Sequence, residues 1–285
     1  MINKVLVVGA TGKVGREVVK DLLKENVNVI AASRHPENLN INDSRVTSAI
    51  LDLENPTNFE NLFTDVDALF LMAKPLDTHP LEHLTPLIDC AKNNNLKKIV
   101  MLSAIGVDQD TNSPLNGVER CVINSGIDYS ILRPNFFMEN FLPGFIGDSI
   151  KTTGTINLPA EEARTSFISV VDIGEIGTKV LLDETMHNTQ FNLTGCESIT
   201  YGEAARILTE DWGRDITYNA INDLDMRNAL LETGWTPDMV DYMSNLFTHV
   251  RHGDVANVDP TCEKLLGHKP TTFHQFAQRN KENIW

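Results

Sequence analysis

Two sets of residues in this chain have the types and spacing to do chemistry. The first is Gly9, Gly12 and Gly15 in VLVVGATGKVG, a G-x-x-G-x-x-G triplet. A residue without a Cβ lets the backbone bend sharply and approach a pyrophosphate, and the N–H groups and positive dipole end of a following helix then face the anion. The second is Ser103, Asn116 and Glu119, a hydroxyl, an amide and a carboxylate that follow an apolar run farther along. Such groups can polarise a bound molecule or move a proton. A glycine cradle, a hydroxyl at the end of a later strand and polar groups on the helix that follows it suit a nucleotide site with a reactive end.

The elements that must position these groups are legible as alternating periods. Residues 5–8 are apolar and β-branched, as in a central parallel strand, and residues 16–25 carry apolar positions at helical spacing. The same alternation continues with strands at 27–32, 46–51, 68–72, 98–102 and 127–132 and helices at 79–93 and 113–125. Strand–helix repeats at this rhythm predict an α/β fold, a doubly wound parallel sheet of the Rossmann type, with ligands at the carboxyl ends of the strands. Those ends carry Ser33 and Arg34, Asp52 and Leu53, Ala73 and Lys74, Ser103, and the run Pro134, Asn135, Phe136, Phe137. Residues 1–140 with parts of 165–195 are expected to form the dinucleotide domain. Residues 141–164 and 196–285 are expected to form a smaller lobe that takes a substrate or partner. Past residue 140, strands are expected at 152–158 and 163–168, a last strand at 190–193, and helices at 200–212, with a Thr200–Glu203 capping box, and within 235–251. A helix at 170–182 precedes that last strand.

The tip of the second strand decides between dinucleotides. A carboxylate there would bond a free ribose 2′-hydroxyl, whereas this chain offers Ser33 and Arg34, and a guanidinium matches a phosphate with charge-assisted bonds. NADP(H) is therefore expected over NAD(H). The aromatic run from Phe136 to Phe141 reads either as core between domains or as the floor of an apolar pocket for nicotinamide and substrate.

GATGKVG, Ser33-Arg34, Asp52-Leu53, Ser103-Ala104, SGIDYSILRPNFFMEN at 125–140, FISVVD at 167–172 and FNLTG from Phe191 resemble the atypical short-chain dehydrogenase/reductases of the NmrA-like group. The resemblance covers nearly the whole chain. It implies that Gly9, Thr11, Gly12, Lys13, Val14 and Gly15 hold the pyrophosphate and that Arg34, beside Ser33, holds the 2′-phosphate. It also implies that Asp52 and Leu53 border the adenine, that Ala73 and Lys74 lie on the ribose side, and that Ser103 with Pro134, Asn135, Phe136 and Phe137 forms the nicotinamide end. The wider superfamily carries Tyr-x-x-x-Lys on the helix before the sixth strand, where the tyrosine gives a proton and the lysine lowers its pKa. Residues 113–125 contain neither, offering Asn116, Glu119 and Arg120, and Tyr129 lies inside the strand.

A ketone reductase of the usual mechanism is therefore not expected, because hydride addition to a carbonyl leaves an alkoxide that needs a donor. Two classes remain. One is a reductase whose acceptor needs no strong protein acid, such as a quinone, an azo compound or an iminium ion, with Ser103 or Asn116 polarising the acceptor. Glu119 then either relays a proton or offsets a cation, or is a solvated surface carboxylate. The other class is an NADP(H)-binding redox sensor that acts through a protein partner, as NmrA-like regulators do.

Composition narrows the partners. A net charge of −15 over 285 residues argues against nucleic acid, and no apolar run is long enough to suggest a membrane span. The opening residues lead straight into the first strand without a basic, signal-like segment. Cys90, Cys121, Cys196 and Cys262 are scattered, as suits reduced thiols in a cytoplasm. His79 with His83 and His249 with His252 stand at helical spacing but lack the other ligands of a metal site, so none is expected. A small-molecule substrate in a largely apolar pocket is the expected partner, and a homodimer is left open.

Overall fold

The computed structural model describes residues 1–55 and 59–282, so the last three positions of the expected smaller lobe lie outside the described residues. It divides into two compact units, Met1–Pro134 with Val170–Leu193 and Asn135–Ser169 with Thr194–Trp285.

The first unit holds a sheet built from β1 (Lys4–Val8), β2 (Asn28–Ser33), β3 (Val46–Ile50), β4 (Ala68–Met72), β5 (Lys98–Leu102), β6 (Asp128–Pro134) and a strand at Thr189–Leu193. Every pairing is parallel and the order is 3-2-1-4-5-6 followed by Thr189–Leu193. The connecting helices are α1 (Lys13–Lys24), α2 (Pro80–Asn93), α3 (Pro114–Ile123) and one at Val170–Leu182. A parallel sheet hidden under helices needs apolar residues at every position, and β1, β4 and β5 supply them: Val5, Leu6, Val7, Leu69, Phe70, Leu71, Ile99, Val100 and Met101 are fully enclosed. The strand order reverses between β1 and β4. Crevices that bind ligands form at such reversals, outside the carboxyl ends of the strands.

The helix at Val170–Leu182 packs on α1 through glycine. A Cβ on Gly174 would lie 2.6 Å from the Glu17 Cβ, so the two helices approach too closely for a larger residue. Lys98 at the start of β5 is buried, and its ammonium donates to Val180 O at 2.5 Å and Asp183 O at 2.8 Å, closing the carbonyl end of the same helix.

The second unit begins with a single turn of 3₁₀ helix at Met138–Phe141 and continues through α4 (Phe145–Thr153), β7 (Thr155–Leu158) and β8 (Arg164–Thr165). The helix at Val170–Leu182 is thus α5, and the strand at Thr189–Leu193 is β9. After them come β10 (Ile199–Thr200), α6 (Tyr201–Trp212), β11 (Thr217–Ala220), α7 (Asp223–Glu232), α8 (Pro237–His252), α9 (Thr261–Leu266) and α10 (Phe273–Arg279). Its core is aromatic: Phe141 meets Phe167 and Phe273 edge-on at 5.4 and 5.0 Å, and Tyr201 lies edge-on to Phe167 at 5.2 Å. The Thr200–Glu203 capping box is formed and α6 runs to Trp212.

Local structure departs from the sequence reading mainly in this unit. Residues 152–153 end α4 instead of opening a strand, because Gly154 adopts a left-handed conformation that terminates the helix. The strand expected at 163–168 shrinks to two residues, and residues 190–193 are followed by two further strands. Helix α7 was not expected at all. It buries only Met226 and Leu230, too thin an apolar stripe to stand out in sequence. On α8 the expected stripe splits, with Met243 and Phe247 buried and Met239, Tyr242 and Leu246 half-exposed.

Candidate active site

Gly9 sits at the end of β1 with φ +70°, a conformation that favours glycine. From there the chain turns back, the Gly12 N–H donating to Gly9 O at 2.8 Å, and α1 begins at Lys13 with no side chain capping its first N–H groups. Gly15 is required by packing, since a Cβ there would stand 2.3 Å from Gly9 O. Gly12 and Lys13 are exposed and Thr11 half-exposed, whereas the Val14 side chain is buried in the core. Arg16 braces the loop: its Nη2 donates to Thr11 O at 3.2 Å and to Asn38 O at 3.1 Å. An uncapped helix start next to glycines suits an anion held by backbone N–H groups.

The neighbouring strand ends gather the residues expected at the adenosine side. Ser33 is buried, and its hydroxyl has no hydrogen-bond partner among the described residues; the same holds for Arg16 Nε. Arg34 follows in the open. Asp52 at the end of β3 accepts from the Asn55 amide and the Glu54 N–H, and these bonds, with the Arg34 and Lys74 cations nearby, hold its carboxyl below the usual range. Lys74, after β4, pairs with Glu54. Arg34, Asp52 and Lys74 come from three different loops and share one electrostatic neighbourhood.

At the ends of β5 and β6 the arrangement is different. Ser103, Glu119 and Arg133 are all buried. The Ser103 hydroxyl donates to Glu119 Oε1 at 2.5 Å. Arg133 grips the same carboxylate through Nε at 2.9 Å and Nη2 at 2.6 Å, reaches Gln190 Oε1 at 2.6 Å, and lies 3.5 Å from Asp108. Glu119 is 3% exposed, so it is not a solvated surface carboxylate, and both of its oxygens are engaged. Asn116 donates from Nδ2 to Val107 O at 2.8 Å, which fixes the amide's orientation and leaves its buried Oδ1 without a partner among the described residues. Two signals for this cluster stand in the sequence. Glu119 falls on the apolar stripe of α3 with Leu115, Val118 and Val122, and Arg133 interrupts an otherwise apolar strand, where a charge must find a partner.

The run after β6 lies in the second unit from Asn135 onward, whereas the sequence reading placed it with the dinucleotide domain to residue 140. Asn135 spends its amide within the protein: Nδ2 donates to Ser166 Oγ at 2.7 Å and Val255 O at 2.8 Å, and Oδ1 accepts the Phe136 N–H at 2.8 Å. Met138 and Phe141 are core, whereas Phe136 and Phe137 are half-exposed, Phe136 lying 6.2 Å from the Phe247 ring. His83 pairs with Asp77 and His249 with Asp254, and among the described residues no group of three or more His, Cys, Asp or Glu is placed to hold a metal ion. No described helix is long and apolar enough to cross a membrane.

A model of the NAD(P)H-binding family matches residues 9–184, from the first glycine of the cradle to just past α5. The chain belongs to that family. Over 98% of its length and 93% of the relative's, it is 33% identical to prestalk A differentiation protein A of Dictyostelium discoideum. It is 28% identical to an NAD(P)H azoreductase of Xenophilus azovorans, over 96% of each chain. The NADPH-dependent quinone oxidoreductase QOR2 of Escherichia coli, solved in complex with NADPH, superposes with a TM-score of 0.83 over 96% of this chain and 99% of that one, at 21% identity. At that identity the likeness is one of fold, and it extends through both units.

Proposed function

We propose that the protein is an NADPH-dependent reductase that passes hydride to a small organic acceptor needing no strong protein acid, such as a quinone, an azo compound or an iminium ion. The observation that carries this reading is the glycine cradle at the uncapped start of α1, set beside a strand tip bearing Ser33 and Arg34 and no carboxylate. Family membership supports the dinucleotide, and the azoreductase and quinone oxidoreductase among the similar proteins support the acceptor class.

The residues present fit the cofactor. Buried hydroxyls without partners are uncommon, and Ser33 Oγ is one at the strand tip where a 2′-phosphate would lie. In this reading Gly9 to Gly15 hold the pyrophosphate with backbone N–H groups, Ser33 and Arg34 take the 2′-phosphate, Asp52 and Leu53 border the adenine, and Ala73 and Lys74 flank the ribose. Ser103 and Pro134 mark the nicotinamide end. When bound, NADPH supplies two electrons as hydride. Catalysis then rests on positioning donor against acceptor, an effect worth up to about 7–11 kcal/mol in well-oriented systems.

The Ser103–Glu119–Arg133 chain refines the roles read from sequence. Ser103 directs its O–H at Glu119 and so presents lone pairs, and Glu119, clamped by Arg133, serves as the anchor of that orientation. A cytoplasmic setting is part of the proposal, supported by four cysteines that form no disulfide. The homodimer is also kept as a proposal, to be tested by light scattering in solution.

The deciding experiment is a panel of quinone, azo, iminium and simple ketone acceptors with NADPH and the purified protein. Oxidation of NADPH with one of the first three and not with ketones is the expected result. Tight NADPH binding with no oxidation across the panel would overturn the reductase reading and favour a sensor.

A further inference from the structure

The reductase reading leaves one proton without a source. Hydride added to a neutral acceptor produces an anion, the Tyr-x-x-x-Lys pair is missing, Glu119 is clamped on both oxygens, and Ser103 has turned its proton toward Glu119. The loop after β4 supplies a candidate. It folds back so that the Asp77 N–H donates to Lys74 O at 3.2 Å, and the Asp77 carboxylate is buried, its side chain 4% exposed. That carboxylate accepts the His79 N–H at 3.0 Å and faces His83 Nδ1 with both oxygens, at 3.0 and 2.8 Å. His83 itself is half-buried in the first turn of α2. A carboxylate on Nδ1 fixes the tautomer and orientation of an imidazole and leaves Nε2 as the nitrogen that exchanges protons.

The pair stands on the rim where a reducible molecule would arrive. The reversal of strand order makes the loops after β1 and β4 the two walls of the crevice. Met72, at the end of β4, comes within 2.7 Å of a Cβ built on Gly9, so this loop departs from beside the glycine cradle. From the other side, the Leu81 side chain in the first turn of α2 lies 3.0 Å from a Cβ built on Gly117, two residues before Glu119. The turn that carries His83 therefore follows the loop that leaves from beside the cradle and packs against α3. Neighbouring His79 is exposed, and its Nδ1 lies 3.0 Å from Thr78 Oγ1.

We propose that His83 delivers the proton in reduction of neutral acceptors and that Asp77 is its positioning residue, an inference that rests on the reductase reading above. For a quinone, the acceptor takes hydride with both electrons from NADPH, which leaves as NADP⁺. The resulting hydroquinone monoanion takes the Nε2 proton, so an N–H bond breaks and an O–H bond forms, and solvent recharges the imidazole. A cationic acceptor is neutralised by the hydride and has no use for this proton.

That difference makes the test. With NADPH and either a naphthoquinone or a cationic triarylmethane dye, His83→Gln is expected to lower kcat on the quinone about a hundredfold, the lower end of the range for general acid catalysis, and to leave the dye rate within about threefold. Asp77→Asn should lower the quinone rate in the same selective way. In the dinucleotide-free protein, imidazole ¹⁵N spectra should place the proton of neutral His83 on Nδ1 in the wild type and shift it toward Nε2 in Asp77→Asn. An unchanged quinone rate in His83→Gln, an equal loss on both acceptors, or a wild-type ring protonated on Nε2 would each overturn the proposal. A wild-type protein that binds NADPH but oxidises it with no acceptor of the panel above overturns the reductase reading itself, a result distinguishable from the others because it needs no variant.

Discussion

The two ends of the rim in the first unit are built on opposite principles. Around β1 to β3, recognition is assigned to backbone N–H groups and to charges in the open: Gly12 and Lys13 are exposed, Arg34 is exposed, and Asp52 sits in a shared field of surface cations. Around β5 and β6 the charges are sealed, with Arg133 and Glu119 closed on each other inside the protein. An open region tolerates loss of a side chain and changes its ligand preference. A sealed ion pair tolerates loss of neither partner, because the survivor is a desolvated charge. Specificity is adjustable at the first end, and geometry is held rigid at the second.

Five substitutions test that contrast. Arg133→Met strands Glu119 and should cost about 3–5 kcal/mol in denaturant unfolding, while Arg133→Met with Glu119→Leu should recover most of it. A double variant as unstable as the single one would show that the pair matters for more than mutual compensation. Gly15→Ala drives a Cβ toward Gly9 O and should cost about 1–3 kcal/mol of stability and weaken NADPH binding, both measurable by calorimetry.

Arg34→Ala should leave stability unchanged within about 0.5 kcal/mol and weaken NADPH binding about tenfold or more while NADH binding holds steady. Equal losses for both dinucleotides would remove the 2′-phosphate role. The smallest effect is expected at Asp43, whose carboxyl is drawn down to about 2 by hydrogen bonds from the Arg45 side chain and N–H. Its folded pKa lies below the unfolded one, so its contribution is complete above the ordinary carboxylate range and is lost as pH falls toward 2. Wild type and Asp43→Asn should differ slightly in melting temperature at neutral pH and converge near pH 2. A gap that persists in acid would point to packing.

Much of the first unit was legible because its signals are local. Apolar runs at 5–8, 68–72 and 98–102 gave strands within one residue of those observed, and the glycine triplet landed on a strand-to-helix turn. The second unit was harder to read. Its helices α9 and α10 are short, its strands β8 and β10 have two residues each, and α7 is largely exposed, so periodicity there has too few repeats to register. The Asp77–His83 pair also escaped the sequence reading, which weighed His83 against His79 at helical spacing; the partner proved to be a loop carboxylate six residues back.

Residue types and spacing alone determined that this chain winds a parallel sheet, places glycines at its first βα turn and lacks the usual tyrosine and lysine. Those properties depend on neighbours a few residues apart, which the sequence displays directly. Tertiary structure decided that Glu119 is buried, that Ser103 points its proton inward and that Arg133 and Gln190 meet. Each depends on contacts across 14 to 57 residues, and burial of a charge is settled only when the partner that compensates it arrives in space.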